Sequence, residues 1–410
     1  MCMICRWICV SIGVLVVACD GGKAGGPADT ALDAGQGMDS QVGRDDGQGA
    51  EMPRQPPTPD AGAVDARVLP EGRWTNFTPS PLPASWPLGQ EGFGMAFDSK
   101  RARLVVYGGV GGCKRSGGLC DELWEYAVSS GSWERRERKT ADALWPPGLV
   151  SAAMVYDPDK GRELLVGGLK GVPGGPSGDL WIWDGEAGLW EKASGGIPAR
   201  EDLAAAYDTH RQRLVVFGGM VTSTMVAFME TSLADLWEWD GQNWAEIPHE
   251  GEWPASRTGH AMTFDSARSR VIMFGGLTLS PEVGGVYRSD MWAWDGAVRR
   301  WEFLGDEFGG KDWPRARGAT AIVYNEKRDT LLAYAGKYAA GGSQIEVLSD
   351  TWGWSPESGW HQYQDQGIGP GKRQNHKTVF DTLRGVVLLY GGGPGALVAP
   401  SQKELWEWGD

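Results

Sequence analysis

The chain has 410 residues, with 62 glycines, 22 tryptophans and a net charge of −14. Hydrophobic residues make up 41% and charged residues 22%, a composition typical of a folded domain joined to a disordered segment. The acidic balance excludes nucleic acid as the main partner, because binding to phosphate requires a basic face.

The N-terminal segment, residues 1–19, reads MCMICRWICVSIGVLVVAC and carries one early positive charge at Arg6. The apolar run that follows is about a dozen residues long, the size of a signal-peptide core and short for a membrane span. Its end, Val16 to Cys19, resembles the lipobox of bacterial lipoproteins. The resemblance implies cleavage before Cys19, acylation of its thiol, and a lipid-anchored protein of the bacterial cell envelope, periplasmic or at the surface. An ordinary secretory signal and a secreted protein are the alternative.

Residues 20–70 are rich in glycine, alanine, aspartate and proline and contain almost no large apolar residue. Such a segment buries too little surface to fold, so we expect a flexible tether. Coil statistics give it an average end-to-end distance of roughly 40 Å. Its aspartates lack the spacing of an EF-hand loop, and we predict no calcium site there.

The rest of the chain, residues 71–410, repeats one pattern six times. A pair of small residues recurs at intervals of 51 to 60 residues and follows an apolar run. A second apolar run lies further upstream and ends in Phe or Tyr followed by Asp or Asn. We therefore predict several short strands in each repeat and no helix. The pairs are Gly108-Gly109, Gly167-Gly168, Gly218-Gly219, Gly275-Gly276, Ala335-Gly336 and Gly391-Gly392.

After each pair comes an acidic residue, then an aromatic residue two positions later and a second one after two more. The acidic residues are Glu122, Asp179, Asp235, Asp290, Asp350 and Glu404. This pattern resembles the kelch repeat. The resemblance implies an all-β fold, a six-bladed β-propeller in which every blade is a four-stranded antiparallel sheet. In the repeats a third aromatic follows on the fourth strand, and we expect the tryptophans to pack blade against blade.

The sixth repeat, KELWEWGD from Lys403, stops before its fourth strand. The stretch GRWTNF, residues 72–77, matches that strand and precedes the first blade. We expect it to complete the last blade and so close the ring, with Trp74 in the place that Trp133 or Trp301 holds in other blades.

Strand order divides the connections between two faces of the propeller. Connections from first to second and from third to fourth strand are short, and we name their side the short-turn face. Connections from second to third strand and between blades are longer, and we name their side the long-loop face. Long loops on a rigid scaffold often carry function, so the long-loop face is the candidate binding surface.

Four arginines recur on this face at one position of the repeat, just before the innermost strand: Arg200, Arg257, Arg317 and Arg373. In kelch propellers residues at this position lie near the mouth of the central channel. Four converging guanidinium groups would hold a carboxylate or an acidic peptide. The alternative is that each arginine binds loop carbonyls and neighbouring acidic residues.

Two tryptophan positions are candidates for stacking on a sugar ring, Trp253 and Trp313, each followed by proline. Trp86-Pro87 and Trp145-Pro146 occupy equivalent places. The alternative is that all four pin the loops between blades by packing.

The long loop of the third blade, from Met220, is unusually apolar and contains Met225 and Phe228. Apolar surface loops often mark contact sites, so both residues are candidates for binding a partner. The alternative is that the loop folds over the channel mouth and hides these groups.

The two cysteines of the repeat region, Cys113 and Cys120, are predicted to form a small disulfide bond, which suits an exported protein. Galactose oxidase and a sialic-acid mutarotase are enzymes of this architecture. The copper site of the oxidase type requires a cysteine cross-linked to tyrosine, and the predicted disulfide leaves none. His260 and His376 share a repeat position but are weak indications of a metal. We predict no metal, no cofactor and no catalytic residues.

The sequence thus favours a lipid-anchored, monomeric kelch propeller outside the cytoplasm that binds a protein or a glycan through the long-loop face. One alternative is a carbohydrate-active enzyme of the mutarotase type, with arginines at the channel mouth. A second alternative is a structural protein of the envelope.

Overall fold

A computed structural model describes residues 71–113, 119–170, 174–222, 230–280, 284–309, 312–339, 344–364, 367–395 and 401–410. The predicted signal peptide with Cys19, the predicted tether, Met225 and Phe228 lie outside the described residues. Within the described ranges all regular structure is β-strand. A search of these ranges found no helix with the length and apolarity needed to cross a membrane.

The strands are short, because turn residues interrupt the apolar runs every few positions. The first ten are β1 (Arg73–Asn76), β2 (Gln90–Glu91), β3 (Gly94–Asp98), β4 (Arg103–Tyr107), β5 (Val110–Gly111), β6 (Leu123–Ala127), β7 (Ser132–Arg136), β8 (Ala153–Asp157), β9 (Arg162–Val166) and β10 (Ser177–Asp184). The next ten are β11 (Leu189–Arg200), β12 (Ala204–Asp208), β13 (Arg213–Phe217), β14 (Met220–Thr222), β15 (Glu230–Ser232), β16 (Leu236–Trp239), β17 (Trp244–Ile247), β18 (Ala261–Asp265), β19 (Arg270–Phe274) and β20 (Leu277–Ser280). The last ten are β21 (Gly284–Tyr287), β22 (Met291–Asp295), β23 (Arg300–Gly305), β24 (Ala321–Asn325), β25 (Thr330–Tyr338), β26 (Glu346–Ser355), β27 (Gly359–Tyr363), β28 (Lys377–Asp381), β29 (Val386–Tyr390) and β30 (Leu405–Gly409).

Six four-stranded antiparallel sheets form the blades, which confirms the predicted fold class. From the inside outwards the first five are β3-β4-β6-β7, β8-β9-β10-β11, β12-β13-β16-β17, β18-β19-β22-β23 and β24-β25-β26-β27. The sixth is β28-β29-β30-β1, so its outermost strand comes from the N-terminal side of the propeller. In that blade β1 pairs antiparallel with β30, and Trp74 lies opposite Trp408.

The innermost strands form a continuous circle, in which each lies beside the next and β28 lies beside β3. Hydrophobic cores fill the spaces between neighbouring blades, as the repeated tryptophans predict. One such core joins Ile272 and Phe274 of the fourth blade to Trp352 and Trp360 of the fifth. Aromatic rings of this size remove much apolar surface from water, so the blade-to-blade contacts stabilise the ring.

A ring of backbone hydrogen bonds surrounds the channel at the long-loop ends of the innermost strands. It consists of one residue per blade, each with a left-handed φ between 50° and 65°: Gly92, Ser151, Asp202, Gly259, Ala319 and Asn375. Each N–H donates to the carbonyl of the residue in the preceding blade, at 2.7 to 3.1 Å, and Gly92 donates to Asn375. We name this feature the hydrogen-bond ring. It links the six blades to one another around the channel.

Candidate functional site

The long-loop face is extended by small β-ribbons in the connections from second to third strand. In the third blade β14 pairs with β15, and in the fourth β20 pairs with β21. In the fifth blade β25 and β26 continue past a bulge to Tyr338 and Glu346. The ribbons of the third and fourth blades lie side by side, since β15 contacts β20. They build a rim on one side of the channel mouth.

Three of the predicted arginines are buried inside the connections between blades. Arg200, Arg257 and Arg317 are each at most 1% exposed. The two terminal nitrogens of each guanidinium donate to both carboxylate oxygens of one aspartate, at 2.6 to 2.8 Å. Those aspartates are the acidic residues of the repeat, Asp235, Asp290 and Asp350.

The ion pairs and nearby backbone carbonyls together engage all three guanidinium nitrogens. In Arg257 a terminal nitrogen also donates to the Gly275 carbonyl at 2.9 Å, and Nε donates to the Ala255 carbonyl at 3.0 Å. Burial raises the pKa of Asp290, but the hydrogen bond and charge of Arg257 outweigh it, so this pKa lies below its ordinary value. The arginines therefore anchor loops, as the alternative interpretation stated, and offer no free guanidinium at the channel mouth.

Arg373, the fourth arginine, is also buried but has different partners. Its terminal nitrogens donate to the carbonyls of Gly391 and Pro370. Burial lowers the pKa of Arg373 to about 10. Glu404 replaces aspartate in this blade, and its carboxylate makes no ion pair with Arg373 among the described residues. This arginine is likewise enclosed and does not face a ligand.

The Trp-Pro tryptophans pack between blades instead of lining an exposed ring. Trp253 donates its indole N–H to the Ala234 carbonyl at 2.6 Å, and Trp313 donates to the Ser289 carbonyl at 2.7 Å. The ring of Trp253 stands edge-on to Trp301 at 6.4 Å. Their geometry corresponds to the packing alternative, because the N–H groups are bound to loop carbonyls and the rings pack edge-on against tryptophans of the next blade.

Two small cavities lie along the channel among the described residues. On the axis below the hydrogen-bond ring lies a cavity of about 30 Å³, and on the long-loop side lies one of about 10 Å³. Pockets for small molecules measure roughly 300–1,000 Å³, whereas about 30 Å³ is the share of one water in the liquid. Neither of these two cavities has the volume of a sugar-binding pocket.

Charged residues nevertheless converge on these small cavities, and the sequence analysis did not identify them. Asp202 lines both cavities, Lys337 lines the upper one and Lys377 the lower one. Thr258 donates its hydroxyl to the Asp202 carboxylate at 3.0 Å. Asp202 stands where the other blades carry Gly, Ser, Ala or Asn. A charged residue at a position that is uncharged in every other blade was the sequence feature that could have identified this cluster.

In this cluster burial and the neighbouring charges shift the pKa values in opposite directions. Burial raises the pKa of Asp202, although Lys337 and Lys377 favour its ionised form. Burial lowers the pKa of Lys377, and Asp202 opposes that change. Glu91, on the same side as Lys337, also has a raised pKa because of burial. The cluster thus places opposite charges on both sides of the hydrogen-bond ring, with Asp202 between the two lysines.

The two repeat-related histidines are buried beside this channel. His260 stands edge-on to Phe217 and His376 edge-on to Tyr334, with ring centroids 5.6 and 5.5 Å apart. Phe93 of the first blade stands in the same relation to Tyr390, at 5.6 Å. Burial holds the pKa of both histidines well below the ordinary value. The histidines therefore act as packing residues. Across the described residues no group of three or more potential metal ligands was found.

Exposed large apolar side chains concentrate on the long-loop side. Among the described residues eleven are exposed, and seven of them lie in connections of the long-loop face. The seven are Phe77, Leu88, Leu144, Val286, Phe308, Ile345 and Ile368. Only Leu189, Val298 and Leu383 lie on or beside the short turns, and Phe303 lies on an outer strand.

The fourth and fifth blades carry two of these residues near an aromatic pair. Val286 lies on the ribbon β20-β21, and Ile345 directly precedes β26. Tyr287 and Tyr338 are 6.1 Å apart, and the Arg315 guanidinium lies over the Tyr338 ring at 5.3 Å. An exposed apolar group next to a cation and tyrosines is the composition of a protein contact surface.

In the first blade Cys113 and Cys120 are disulfide-bonded, with their Cα atoms 5.4 Å apart. The structure thus places the two cysteines as the sequence predicts. Both cysteines lie in the connection from β4 to β6, on the long-loop face.

Comparison with known proteins identifies the repeat. The family model described as the KLHDC2/KLHL20/DRC7 Kelch-repeats domain matches residues 152–392, more than half of the chain. A search of curated proteins found no match. The match begins at the second blade and ends in the sixth, while the first blade has the same strand order outside it. The chain belongs to the kelch-repeat family.

Proposed function

We propose that this kelch propeller is a protein-binding module that contacts its partner through the long-loop face. The observation that carries the proposal is the uneven distribution of exposed apolar side chains, most of which lie on that face. This one-sided distribution of exposed apolar groups supports a contact surface on the long-loop face. The ion pair of Arg315 and Glu346, in which both side chains are about half exposed, supplies a polar part of that surface.

A protein partner fits these observations better than a glycan. Sugar recognition was predicted from Trp253 and Trp313, whose indole N–H groups are occupied by loop carbonyls. The exposed large apolar residues of the long-loop face are aliphatic or phenylalanine, and they are spread over several blades. Exposed apolar groups of this kind are typical of contacts with another protein.

Photo-cross-linking in cells tests the binding face. A photo-cross-linking amino acid in place of Val286 or Ile345 is expected to yield a discrete cross-linked protein. The matched controls are Val298 and Leu383, which are exposed and apolar but lie at short turns. Cross-linking that is as strong from the control positions as from the long-loop positions would contradict the proposal.

The proposal includes export and a lipid anchor at Cys19. The Cys113–Cys120 disulfide bond supports export, because such bonds persist in oxidising compartments. The lipobox-like residues before Cys19 support acylation. Two acyl signals hold a protein on a membrane far better than one, and a lipoprotein cysteine carries several chains.

Replacing the anchor cysteine is expected to release the protein from membranes. In Cys19→Ser cells the chain should lose incorporated fatty acid and move from the membrane fraction to the soluble fraction. Cys5→Ser, which removes a cysteine elsewhere in the predicted signal peptide, is the control and should keep the label. Equal labelling of both variants would refute acylation at Cys19.

A further inference from the structure

Four connections between blades place a tryptophan in the same slot. The four are Trp86, Trp145, Trp253 and Trp313, which enter the first, second, fourth and fifth blades. Each indole N–H donates to the carbonyl just before the acidic residue of the preceding blade, at 2.6 to 2.8 Å. Each ring stands edge-on to one or two large aromatic rings of the following blade, with centroids 6.1 to 6.4 Å apart.

The two remaining blades fill this slot differently. In the third blade Ile197 is buried and packs in the same core as Trp239. In the sixth blade the sequence is Gly369-Pro370, and Gly369 lies four residues before Arg373, as Trp253 lies before Arg257. The proline of the Trp-Pro pair is therefore present, but the tryptophan is replaced by a residue with no side chain.

A cleft of about 470 Å³ lies at this place between the fifth and sixth blades. Trp74 and Trp408 line it, and they are the sixth-blade counterparts of Trp301 and Trp294, against which Trp253 packs. Ser349 also lines it and precedes the acidic residue Asp350, as Ser289, the acceptor for Trp313, precedes Asp290. The cleft thus presents the aromatic walls and the acceptor position of an indole slot.

We propose that this cleft binds a tryptophan side chain presented by a partner protein, within a Trp-Pro sequence like those of the chain itself. The volume lies in the range of small-ligand pockets. A buried indole needs an acceptor for its N–H and apolar surface for its ring, and four filled slots show that this architecture supplies both. Tryptophan is also a preferred anchor residue in protein interfaces. The site is separate from the channel mouth and does not depend on the proposed function.

The chain offers a variant that fills the cleft from within. A Cβ atom on Gly369 would meet only Trp74 Cδ1, at 3.9 Å, which is ordinary van der Waals contact. Gly369 does not have the left-handed backbone that disfavours a side chain. Gly369→Trp is therefore expected to restore the Trp-Pro pair in the sixth blade and to raise the Tm by several degrees.

Ligand-observed NMR on the full chain, purified in detergent, tests the site with two probes. The probes are N-acetyltryptophanamide and a capped Gly-Trp-Pro-Gly peptide, with Gly-Ala-Pro-Gly as the blank. We expect saturable binding of both probes and no binding of the blank. Gly369→Trp should weaken both probes at least ten-fold, because its own indole occupies the cleft.

Leu144→Trp is the matched control, since it adds an exposed indole beside the slot that Trp145 already fills. It should leave probe binding and the Tm unchanged. Absence of saturable binding, or equal binding by Gly369→Trp, would overturn the proposal. Binding of the free amide without the Trp-Pro peptide would overturn the assignment to a polypeptide. The cross-linking expected from Val286 or Ile345 does not depend on any of these binding results.

Discussion

Arg257→Met is expected to lower the free energy of unfolding by about 3–5 kcal/mol, because it leaves Asp290 buried without its charge partner. Both terminal nitrogens of Arg257 bind that carboxylate, at 2.7 and 2.8 Å. The replacement keeps a side chain of similar length, so the loss comes mainly from the unpaired charge. Chemical denaturation at pH 7 measures it.

The matched control is Arg315→Met, in the next connection between blades. Arg315 pairs with Glu346, but both side chains are about half exposed. A surface ion pair contributes about 0–1 kcal/mol, so this variant should be nearly neutral. Similar losses in the two variants would show that Arg257 is not a buried structural anchor.

The effect of Arg257→Met should also depend on pH. Arg257 holds the pKa of Asp290 below its ordinary value, so the pair stabilises the fold above that value. This contribution is lost as the pH falls through the lowered pKa of the folded state. The difference between the native chain and the variant is therefore expected to be full at pH 7 and to shrink below about pH 4, near the ordinary pKa of aspartate.

The second large effect is expected from Trp74→Ala, which should also cost about 3–5 kcal/mol, the range for removing a buried tryptophan. Trp74 is 5% exposed and packs against Trp408 and Tyr334, with ring centroids 5.3 and 5.1 Å away. It is the central aromatic of β1, the outermost strand of the sixth blade. Its loss should weaken the contact between the two ends of the propeller.

Phe77→Ala is the control for this prediction. Phe77 directly follows β1 but its side chain is 44% exposed. The backbone N–H of Phe77 donates to the Leu405 carbonyl at 2.9 Å, and alanine keeps that bond. A small loss from Trp74→Ala, comparable to that from Phe77→Ala, would mean that β1 does little to hold the sixth blade.

The tertiary structure separates three roles that look alike in the sequence. Arginines, Trp-Pro pairs and histidines all recur just before an innermost strand. The arginines bind aspartates about 33 to 35 residues away, and the indole groups bind carbonyls about 19 to 24 residues away in Trp145, Trp253 and Trp313. Periodicity alone shows that such residues are equivalent but does not show which way they point.

The sequence by itself determined the blades, because strand patterns, glycine pairs and aromatic motifs are local features repeated six times. It also determined the match of residues 72–77 to a fourth strand, since Trp74 continues the aromatic pattern. Only the tertiary structure decided the burial of Arg257, the charge cluster at Asp202 and the cleft beside Gly369. Each of these depends on groups from different blades that meet only when the ring is closed, so no single repeat contains the information.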